Sequence, residues 1–291
     1  MSNNNLFIKL KENLDKNDYT DINNLKNICT DYDSTFLKLE IDYKFSNLGN
    51  GSNNMDRINE FMLYDDNKLV GYAGICDFGG EALEVNGMVH PDYRGKGIFS
   101  RLFSLVKDEF NKRNINQMLL LSDNKSIAGI EFIKKLGCDY DHSEYDMNLD
   151  MGIKHELNTN LVFRKVTDID KSKLSKENFE FFYEDEFNHN TDSTSQGTYV
   201  IENDGVIIGK SRLEVIDNIG GIYGLEVIPE YRGKGYGREL LLLSIKKLKE
   251  LNVNSITLQV ETNNKNALNL YKSCGFKENY TMDYYIIKKG E

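Results

Sequence analysis

The amino-acid sequence predicts a mixed α+β protein made of two similar units, each with a sheet and flanking helices. Three observations carry this prediction. Short apolar strand patterns are joined by tight turns at 65–68 and 203–205, which is typical of hairpins. A basic, glycine-rich turn leads from an apolar strand into an apolar helix at 227–243. The same order of elements occurs twice, at a constant offset of 138 positions, as between Pro91 and Pro229.

The first half contains a run of alternating element types. Loose helical spacing covers 6–14 and 22–28, and an Asn-rich stretch over 46–54 indicates a loop. We expect strands at 60–64, 69–75, 82–89, 117–121 and 144–149, a helix after the basic turn at 90–97, and a helix over 126–136 that Gly137 ends.

The second half repeats this order after a polar linker at 150–160. We expect strands at 161–166, 198–202, 206–215, 222–228, 255–260 and 280–288, and helices over 168–183, after the turn at 229–237, and over 264–273. The predicted domains are 1–152 and 156–291. The 291 residues are enough for two domains with separate cores.

Composition narrows the class of protein. Apolar residues make up 40% and charged residues 28%, as in soluble globular proteins, and no apolar run reaches membrane-spanning length. The start of the chain lacks the pattern of a secretory signal, and the four cysteines show no CxxC spacing. We therefore expect a cytoplasmic protein with reduced thiols, no metal and no membrane association. The net charge of −10 argues against nucleic acid and suits a cationic partner such as an amine.

The turn at 229–237 has features that are typical of an anion-binding site. Gly233, Gly235 and Gly237 allow successive backbone N–H groups to face one concavity, and the following helix adds its unpaired N–H groups and positive dipole end. Arg232 and Lys234 add charge, which favours a phosphate-bearing ligand. The alternative is a tight turn with solvated basic residues. The spacing is neither that of a P-loop nor that of a Rossmann turn.

The second half resembles the GNAT superfamily of acyl-CoA-dependent N-acetyltransferases. The resemblance rests on Arg232-Gly233-Lys234-Gly235-Tyr236-Gly237 and on Asn264, Ala267, Tyr271, Gly275 and Phe276. The first half resembles the family from about Glu60 onward, with departures in each key motif. The resemblance implies two tandem GNAT-like domains. Each is a twisted, mostly antiparallel sheet with a splayed central parallel strand pair, flanked by helices.

The resemblance also implies roles at a coenzyme A site. The loop amides would hold the pyrophosphate, and the pantetheine arm would pair with the edge of the preceding strand. Asn264 would hydrogen-bond this arm, the N–H of Val227 would polarise the acetyl carbonyl, and Tyr271 would protonate the leaving thiolate. The implied binding residues are Leu225, Val227, Ile228, Arg232, Gly233, Lys234, Gly235, Tyr236, Gly237, Arg238, Asn264 and Tyr271. Acetyl-CoA is the implied co-substrate, without a metal.

An amine is mostly protonated at neutral pH, so the reaction needs a base or a water chain. Glu226 is the candidate base, because it lies on the strand beside the expected acetyl site. Its alternatives are a solvent-facing carboxylate or a ligand for the substrate cation, and several family members carry their base near the position of Gly221. Tyr223 would line the acceptor pocket or pack within the fold. Direct transfer requires no protein nucleophile.

The constant offset allows the halves to be compared. Tyr271 corresponds to Ile133, Asn264 to Ser126, Glu226 to Met88 and Gly237 to Phe99. The first half thus lacks the phenol and the carboxylate, and we assign catalysis to the second half. Whether the first half keeps a second coenzyme A site stays open; its residues would be Val89, Arg94, Gly95, Lys96 and Gly97.

The sequence predicts an N-acetyltransferase that moves an acetyl group from acetyl-CoA to an amine of a small molecule or peptide. The alternative is a non-catalytic acyl-CoA-binding or regulatory protein, and a homodimer stays open. His90 is expected to cap a strand end, and the tyrosines 280, 284 and 285 to pack the sheet. The aromatic and acidic stretch at 179–186 is a further candidate for the acceptor wall, and helix packing with solvated charges is the alternative.

Overall fold

A computed structural model describes residues 5–46, 57–78, 80–157, 159–170, 174 and 196–290, and the chain in it forms two compact units. Unit 1 comprises Met1–Ser143 and Thr281–Glu291, and unit 2 comprises Glu144–Tyr280. Both contain helices and a sheet, which confirms the predicted mixed α+β class.

Unit 1 has a six-stranded sheet. The elements of the first half are β1 (Leu6–Lys11), α1 (Lys16–Asp33), α2 (Ile41–Ser46), β2 (Glu60–Asp65), β3 (Lys68–Cys76), β4 (Ala82–Val89), α3 (Ile98–Lys112), β5 (Gln117–Asp123), α4 (Ile127–Leu136) and β6 (Asp139–Leu149). Strands β1 to β5 lie in sequence order, and the sixth position, beside β5, is taken by the last strand of the chain.

Unit 2 has the same arrangement. The elements of the second half of the sequence are β7 (Val162–Lys165), a short turn of 3-10 helix (Asp168–Asp170), β8 (Gln196–Asn203), β9 (Val206–Ile216), β10 (Ile219–Val227), α5 (Tyr236–Glu250), β11 (Ser255–Glu261), α6 (Lys265–Ser273) and β12 (Phe276–Lys288). Strands β7 to β11 follow sequence order, and β6 lies beside β11.

The two halves of the sequence exchange their closing strands. In unit 1, residues 282–288 of β12 pair antiparallel with 117–123 of β5. In unit 2, residues 144–148 of β6 pair antiparallel with 257–261 of β11. Each sheet is thus completed by a strand from the other half of the sequence. The predicted domains 1–152 and 156–291 describe the duplicated segments, and the compact units divide the chain differently.

The central parallel strands separate in both units. In unit 2, β10 pairs with β11 over residues 219–222, and in unit 1, β4 pairs with β5 over 82–85. In unit 2 the register of β10 against β9 then shifts between Tyr223 and Glu226, and Gly224 takes a φ of +52°. Such a bulge bends a strand. We call the space that opens beyond Ile222 the strand gap of unit 2; it confirms the splayed pair that the resemblance implies.

The helices cover defined sheet faces. In unit 2, α5 packs Leu241 and Ile245 against Ile222 of β10 and Leu258 of β11, and we call this side the helix face. In unit 1, α3 packs on one face, with Leu102 and Val106 against Val70, and α1 packs on the other. Burial of apolar side chains at about 25 cal/mol per Å² is the main stabilising contribution of these layers.

Two sequence expectations change. The helical spacing predicted over 6–14 is wrong, because residues 6–11 form β1 and pair with β2 along their whole length. The spacing over 22–28 is confirmed within α1. Of the helix predicted over 168–183, only the turn at Asp168–Asp170 and Leu174 fall within the described residues. No helix among the described residues is long and apolar enough to cross a membrane.

Candidate functional site

The basic turn of unit 2 has the geometry of an anion cradle. Gly233 and Gly235 take φ values of +77° and +92°, which residues other than glycine rarely adopt. Gly235 is the N-cap residue of α5, and no side chain among the described residues caps this helix start. The first N–H groups of α5 therefore have no capping acceptor from a side chain, and they add to the positive end of the helix dipole.

The two cations of the turn are held by their neighbours. The Nε of Arg232 donates to the carbonyl oxygen of Val227 at 2.8 Å, and its guanidinium lies 3.6 Å from the carboxylate of Glu226. The ammonium group of Lys234 lies 5.3 Å from the ring centre of Tyr231. Both side chains remain exposed, so they are able to reach a ligand at the turn.

The end of β10 presents a backbone edge to the strand gap. The N–H of Ile228 donates to the carbonyl of Ile208 on β9 at 2.9 Å. Because successive N–H groups of a strand point to opposite edges, the N–H of Val227 points toward the gap. This is the edge, from Leu225 to Ile228, along which the resemblance implies that the pantetheine arm pairs.

Gly237 leaves room in the first turn of α5. A Cβ atom there would meet nothing closer than Leu270 at 3.6 Å and Val227 at 3.9 Å. Because glycine has no side chain, Gly237 places no atoms of its own between the end of β10 and α6. Together with the turn and the edge of 225–228, which pairs with no described strand on the side of the gap, this arrangement fits a phosphate carried on an extended arm.

Tyr271 lies on α6 and is only 8% exposed. It packs on the helix face in the cluster that includes Ile222 and, at its edge, Leu225. Its ring centre lies 6.1 Å from that of Phe276. Burial raises the pKa of Tyr271 to about 12, because the phenolate would lose its hydration. The hydroxyl is therefore protonated at neutral pH, as a proton donor requires.

Glu226 lies on the other face of the sheet. Its neighbours Leu225 and Val227 pack toward Leu240 and Leu243 of α5, so alternation directs Glu226 away from that helix. Its side chain is 7% exposed, and it is paired across the strands with Lys210, which is 1% exposed. Tyr271 and Glu226 thus lie on opposite faces of the sheet, next to the strand gap.

Asn264 has a structural role that the sequence comparison missed. Its Oδ1 accepts from the N–H of Ala267 at 3.1 Å, so Asn264 is the N-cap of α6. Ser126 caps α4 in the same way, through the N–H of Gly129. The exchange of Asn264 for Ser126 therefore preserves the helix cap. The amide nitrogen of Asn264 is what distinguishes the two positions, and its contact with pantetheine stays a prediction.

The corresponding turn of unit 1 has the same backbone and different side-chain contacts. Gly95 and Gly97 take φ values of +73° and +74°. The Nε of Arg94 donates to the carbonyl of Val89 at 3.0 Å, and its guanidinium forms two hydrogen bonds to Asp33, at 2.8 and 2.6 Å. Asp33 lies 61 positions before Arg94, so no local pattern predicted this pair.

Phe99 fills the cleft of unit 1. Its Cε2 atom lies 2.6 Å from where a Cβ on Gly87 would be, so the ring rests on β4. The ring also packs edge-on against Phe132 of α4, with centres 4.7 Å apart. At the equivalent of Tyr271, Ile133 is buried in the same cluster. The residues that would form a second coenzyme A site, Val89, Arg94, Gly95, Lys96 and Gly97, are thus next to a filled cleft.

Several secondary candidates take other roles. The Nδ1 of His90 accepts from the N–H of Asp92 at 3.3 Å, so His90 is a cap. The ring of Tyr223 lies over Gly221 and is 42% exposed, on the same face as Glu226. Tyr284 is buried and stacks on His142. The stretch at 179–186 lies outside the described residues.

Comparison with protein families agrees with this geometry. The model "Acetyltransferase (GNAT) family" matches residues 163–276, and the model "Acetyltransferase (GNAT) domain" matches residues 57–137. The chain belongs to the GNAT acetyltransferases. Its two GNAT domains are arranged in tandem, as the resemblance indicated.

Relatives of this GNAT protein include two kinds of enzyme. An N-alpha-acetyltransferase of Sulfurisphaera tokodaii is 28% identical over 42% of this chain and 81% of its own length. A mycothiol acetyltransferase of Thermomonospora curvata is 36% identical over 30% of this chain and 29% of its own length. The aligned stretch thus covers less than a third of the mycothiol enzyme.

Solved structures share the complete tandem fold. A GCN5-related N-acetyltransferase from Sphaerobacter thermophilus has a TM-score of 0.77 at 15% identity, over 97% of this chain and 95% of that chain. A tandem GNAT protein from the clavulanic acid biosynthesis pathway has a TM-score of 0.73 at 13% identity, over 98% and 99%. At these identities, the similarity concerns the fold alone.

Proposed function

We propose that this tandem GNAT protein transfers an acetyl group from acetyl-CoA to an amine of a small molecule or peptide, with the chemistry in unit 2. The observation that carries this proposal is the difference between the two clefts. In unit 2, Gly237 has no side chain in the cleft that the edge of Leu225–Ile228 and the buried phenol of Tyr271 border. In unit 1, the ring of Phe99 takes that space, and Ile133 replaces the phenol.

The residues of unit 2 fit the binding of coenzyme A. The N–H groups of 233–237 and the start of α5 hold the pyrophosphate, and Arg232, Lys234 and Arg238 supply positive charge around it. The edge of Leu225–Ile228 pairs with the amides of the pantetheine arm. Acetyl-CoA, when bound, supplies the activated acetyl group as a thioester.

The side chains of unit 2 supply proton transfers on both sides of the reacting carbon. The N–H of Val227 donates to the carbonyl oxygen as negative charge develops on it. On one face, Glu226 accepts a proton from the amine as the new N–C bond forms. On the helix face, Tyr271 donates its proton to sulfur as the C–S bond breaks. This placement suits direct attack, because nucleophile and leaving group lie on different sides of the carbon.

A thiol-release assay with acetyl-CoA over a panel of amines tests this proposal. We expect wild-type protein to release thiol with at least one amine, and Tyr271→Phe to bind coenzyme A while releasing thiol much more slowly. Calorimetry with coenzyme A supplies the binding control. Tight binding with no turnover on any amine would replace the proposal with a non-catalytic acyl-CoA-binding or regulatory role.

A further inference from the structure

Strands β11 and β6 of unit 2 carry a row of polar residues on the face opposite the helices. Ile256, Leu258 and Val260 alternate with this row and pack in the core together with Met147 and Leu149. The polar residues are half-buried and in cross-strand register: Thr257 with Asn148 and Gln259 with Asp146. Glu226 and Tyr223 of β10 face the same side, which we call the polar face.

The fold itself does not require this polarity. The equivalent cross-strand pairs of unit 1 are Leu119 with Ile286 and Leu121 with Tyr284. There, Leu121 and Tyr284 are buried with Met282 in an apolar cluster. Burying such side chains stabilises a fold by about 25 cal/mol per Å² of apolar surface. Unit 2 lacks this apolar burial at the equivalent positions of its own sheet. We take this difference as an indication that its polar pairs contact a ligand.

The polar pair nearest to the reaction is Gln259 with Asp146. Leu258 is the last residue of β11 that pairs with β10, through Ile222. Gln259 is therefore the first residue of β11 at the strand gap, and Asp146 is its partner on β6. Since neighbouring strands lie about 4.8 Å apart, Asp146 lies roughly one to two strand spacings, or 5–10 Å, from the gap.

Charge differs between the two sides of the gap. On the β9 side, the cations Lys210 and Arg212 share this face with the carboxylates Glu226 and Glu214, so the charges balance. On the β6 side, the side chains at this register are the carboxylates Asp146 and Glu144. A cationic group on an acceptor is therefore attracted toward β6, and this attraction is strengthened because it acts through a partly buried, low-dielectric region.

We propose that Gln259 and Asp146 select acceptors that carry a second cationic group, so that the substrates are small diamines or polyamines. This inference rests on the proposed function. The reacting amine lies at the strand gap beside Glu226, and the second ammonium group, roughly 5–10 Å away, is held by Asp146. Gln259 donates to, or accepts from, a polar group between them. Asp146 is thus a specificity residue that the first half of the sequence supplies to the site of the second half.

The test compares α,ω-diamines with n-alkylamines of equal length as acceptors. We expect wild-type protein to prefer the diamines by about tenfold or more in kcat/KM, equivalent to about 1.4 kcal/mol. Asp146→Asn keeps the side-chain shape, and we expect it to raise KM for diamines about tenfold while leaving KM for acetyl-CoA unchanged. Gln259→Leu introduces the residue type that unit 1 has at the equivalent position, Leu121. We expect it also to raise KM for diamines. Asp204→Asn, an equal charge change in an exposed hairpin turn, is the control.

The outcomes separate this inference from the proposed function. If amines are acetylated but wild-type protein has no preference for diamines, or if Asp146→Asn retains it, the inference is wrong and the proposed function stands. Preferred acetylation of peptide amines also overturns the inference. If coenzyme A binds and no amine is acetylated, the proposed function fails, and the inference fails with it.

Discussion

Phe99 rests on Gly87: the Cε2 atom of the ring lies 2.6 Å from the place where a Cβ on Gly87 would be. In the second half, the corresponding residues are Gly237 and Leu225, so the bulky and the small residue have changed places. The ring of Phe99 spans from β4 to Phe132 of α4, which closes the cleft between these elements. Phe99 therefore fills the cleft of unit 1, whereas Gly237 contributes no side chain to the corresponding cleft of unit 2.

We expect wild-type protein to bind one coenzyme A per chain and Phe99→Ala to bind a second, weaker one. The second site is weaker because the guanidinium of Arg94 remains engaged by Asp33. Isothermal titration calorimetry measures the stoichiometry. Circular dichroism is the control, since removal of a packed phenylalanine costs about 3–5 kcal/mol. Two sites in the wild-type protein would contradict the assignment of Phe99.

Gly235→Asp is expected to weaken coenzyme A binding by about two orders of magnitude, or about 2.7 kcal/mol. The substitution places an anion against the pyrophosphate and strains a backbone at φ +92°. Gly97→Asp makes the same change at φ +74° in unit 1, so it is the matched control for strain. Calorimetry measures the affinity of both variants for coenzyme A. An equal loss of affinity in the two would contradict the assignment of the turn at Gly235 as the pyrophosphate site.

Tyr271→Phe is expected to lower kcat about 100-fold, since general acids contribute 10²–10⁴-fold. Affinity for coenzyme A is expected to change by less than about twofold, because the phenyl ring keeps its packing. Tyr145→Phe removes a hydroxyl from the edge of the same apolar cluster and is the control. Steady-state kinetics and calorimetry give the two quantities. An unchanged kcat would remove Tyr271 from the mechanism.

The pKa of Tyr271 also predicts how stability depends on pH. Burial raises this pKa from its ordinary value near 10 to about 12. The stabilisation is therefore complete below pH 10 and is lost as the pH rises toward 12. At pH 11 we expect the free energy of unfolding of the wild-type protein to fall by about 1.4 kcal/mol more than that of Tyr271→Phe. Urea unfolding of both proteins at pH 8 and pH 11 measures this difference; equal losses would contradict it.

The exchange of closing strands predicts where core substitutions act. Met147 belongs to the first half of the sequence but is fully buried in unit 2, and Met282 belongs to the second half but is buried in unit 1. We expect Met147→Ala to destabilise unit 2 by about 2–5 kcal/mol, and Met282→Ala to act on unit 1. Hydrogen exchange of the amides of α5 and β5 reports on the two units. Loss of protection confined to the mutated half of the sequence would contradict the exchange.

The sequence by itself determined the local features of this protein. The glycine-rich turn at 233–237 and the helix that follows it depend on residues within a few positions of each other, so their spacing predicted them. The constant offset between the halves predicted a duplicated unit and indicated that Tyr271 and Gly237 have no counterpart in the first half. The family match over 57–137 and 163–276 confirmed the tandem GNAT architecture.

Only the tertiary structure decided which distant residues meet. An alternating strand pattern does not specify its partner, so the sequence did not predict that β6 and β12 each close the sheet built mainly by the other half of the sequence. The pairs Asp33–Arg94 and Lys210–Glu226 likewise depend on contacts between distant segments or neighbouring strands. Register places Asp146 beside Gln259 at the strand gap, because strand pairing brings together side chains that the chain order keeps far apart.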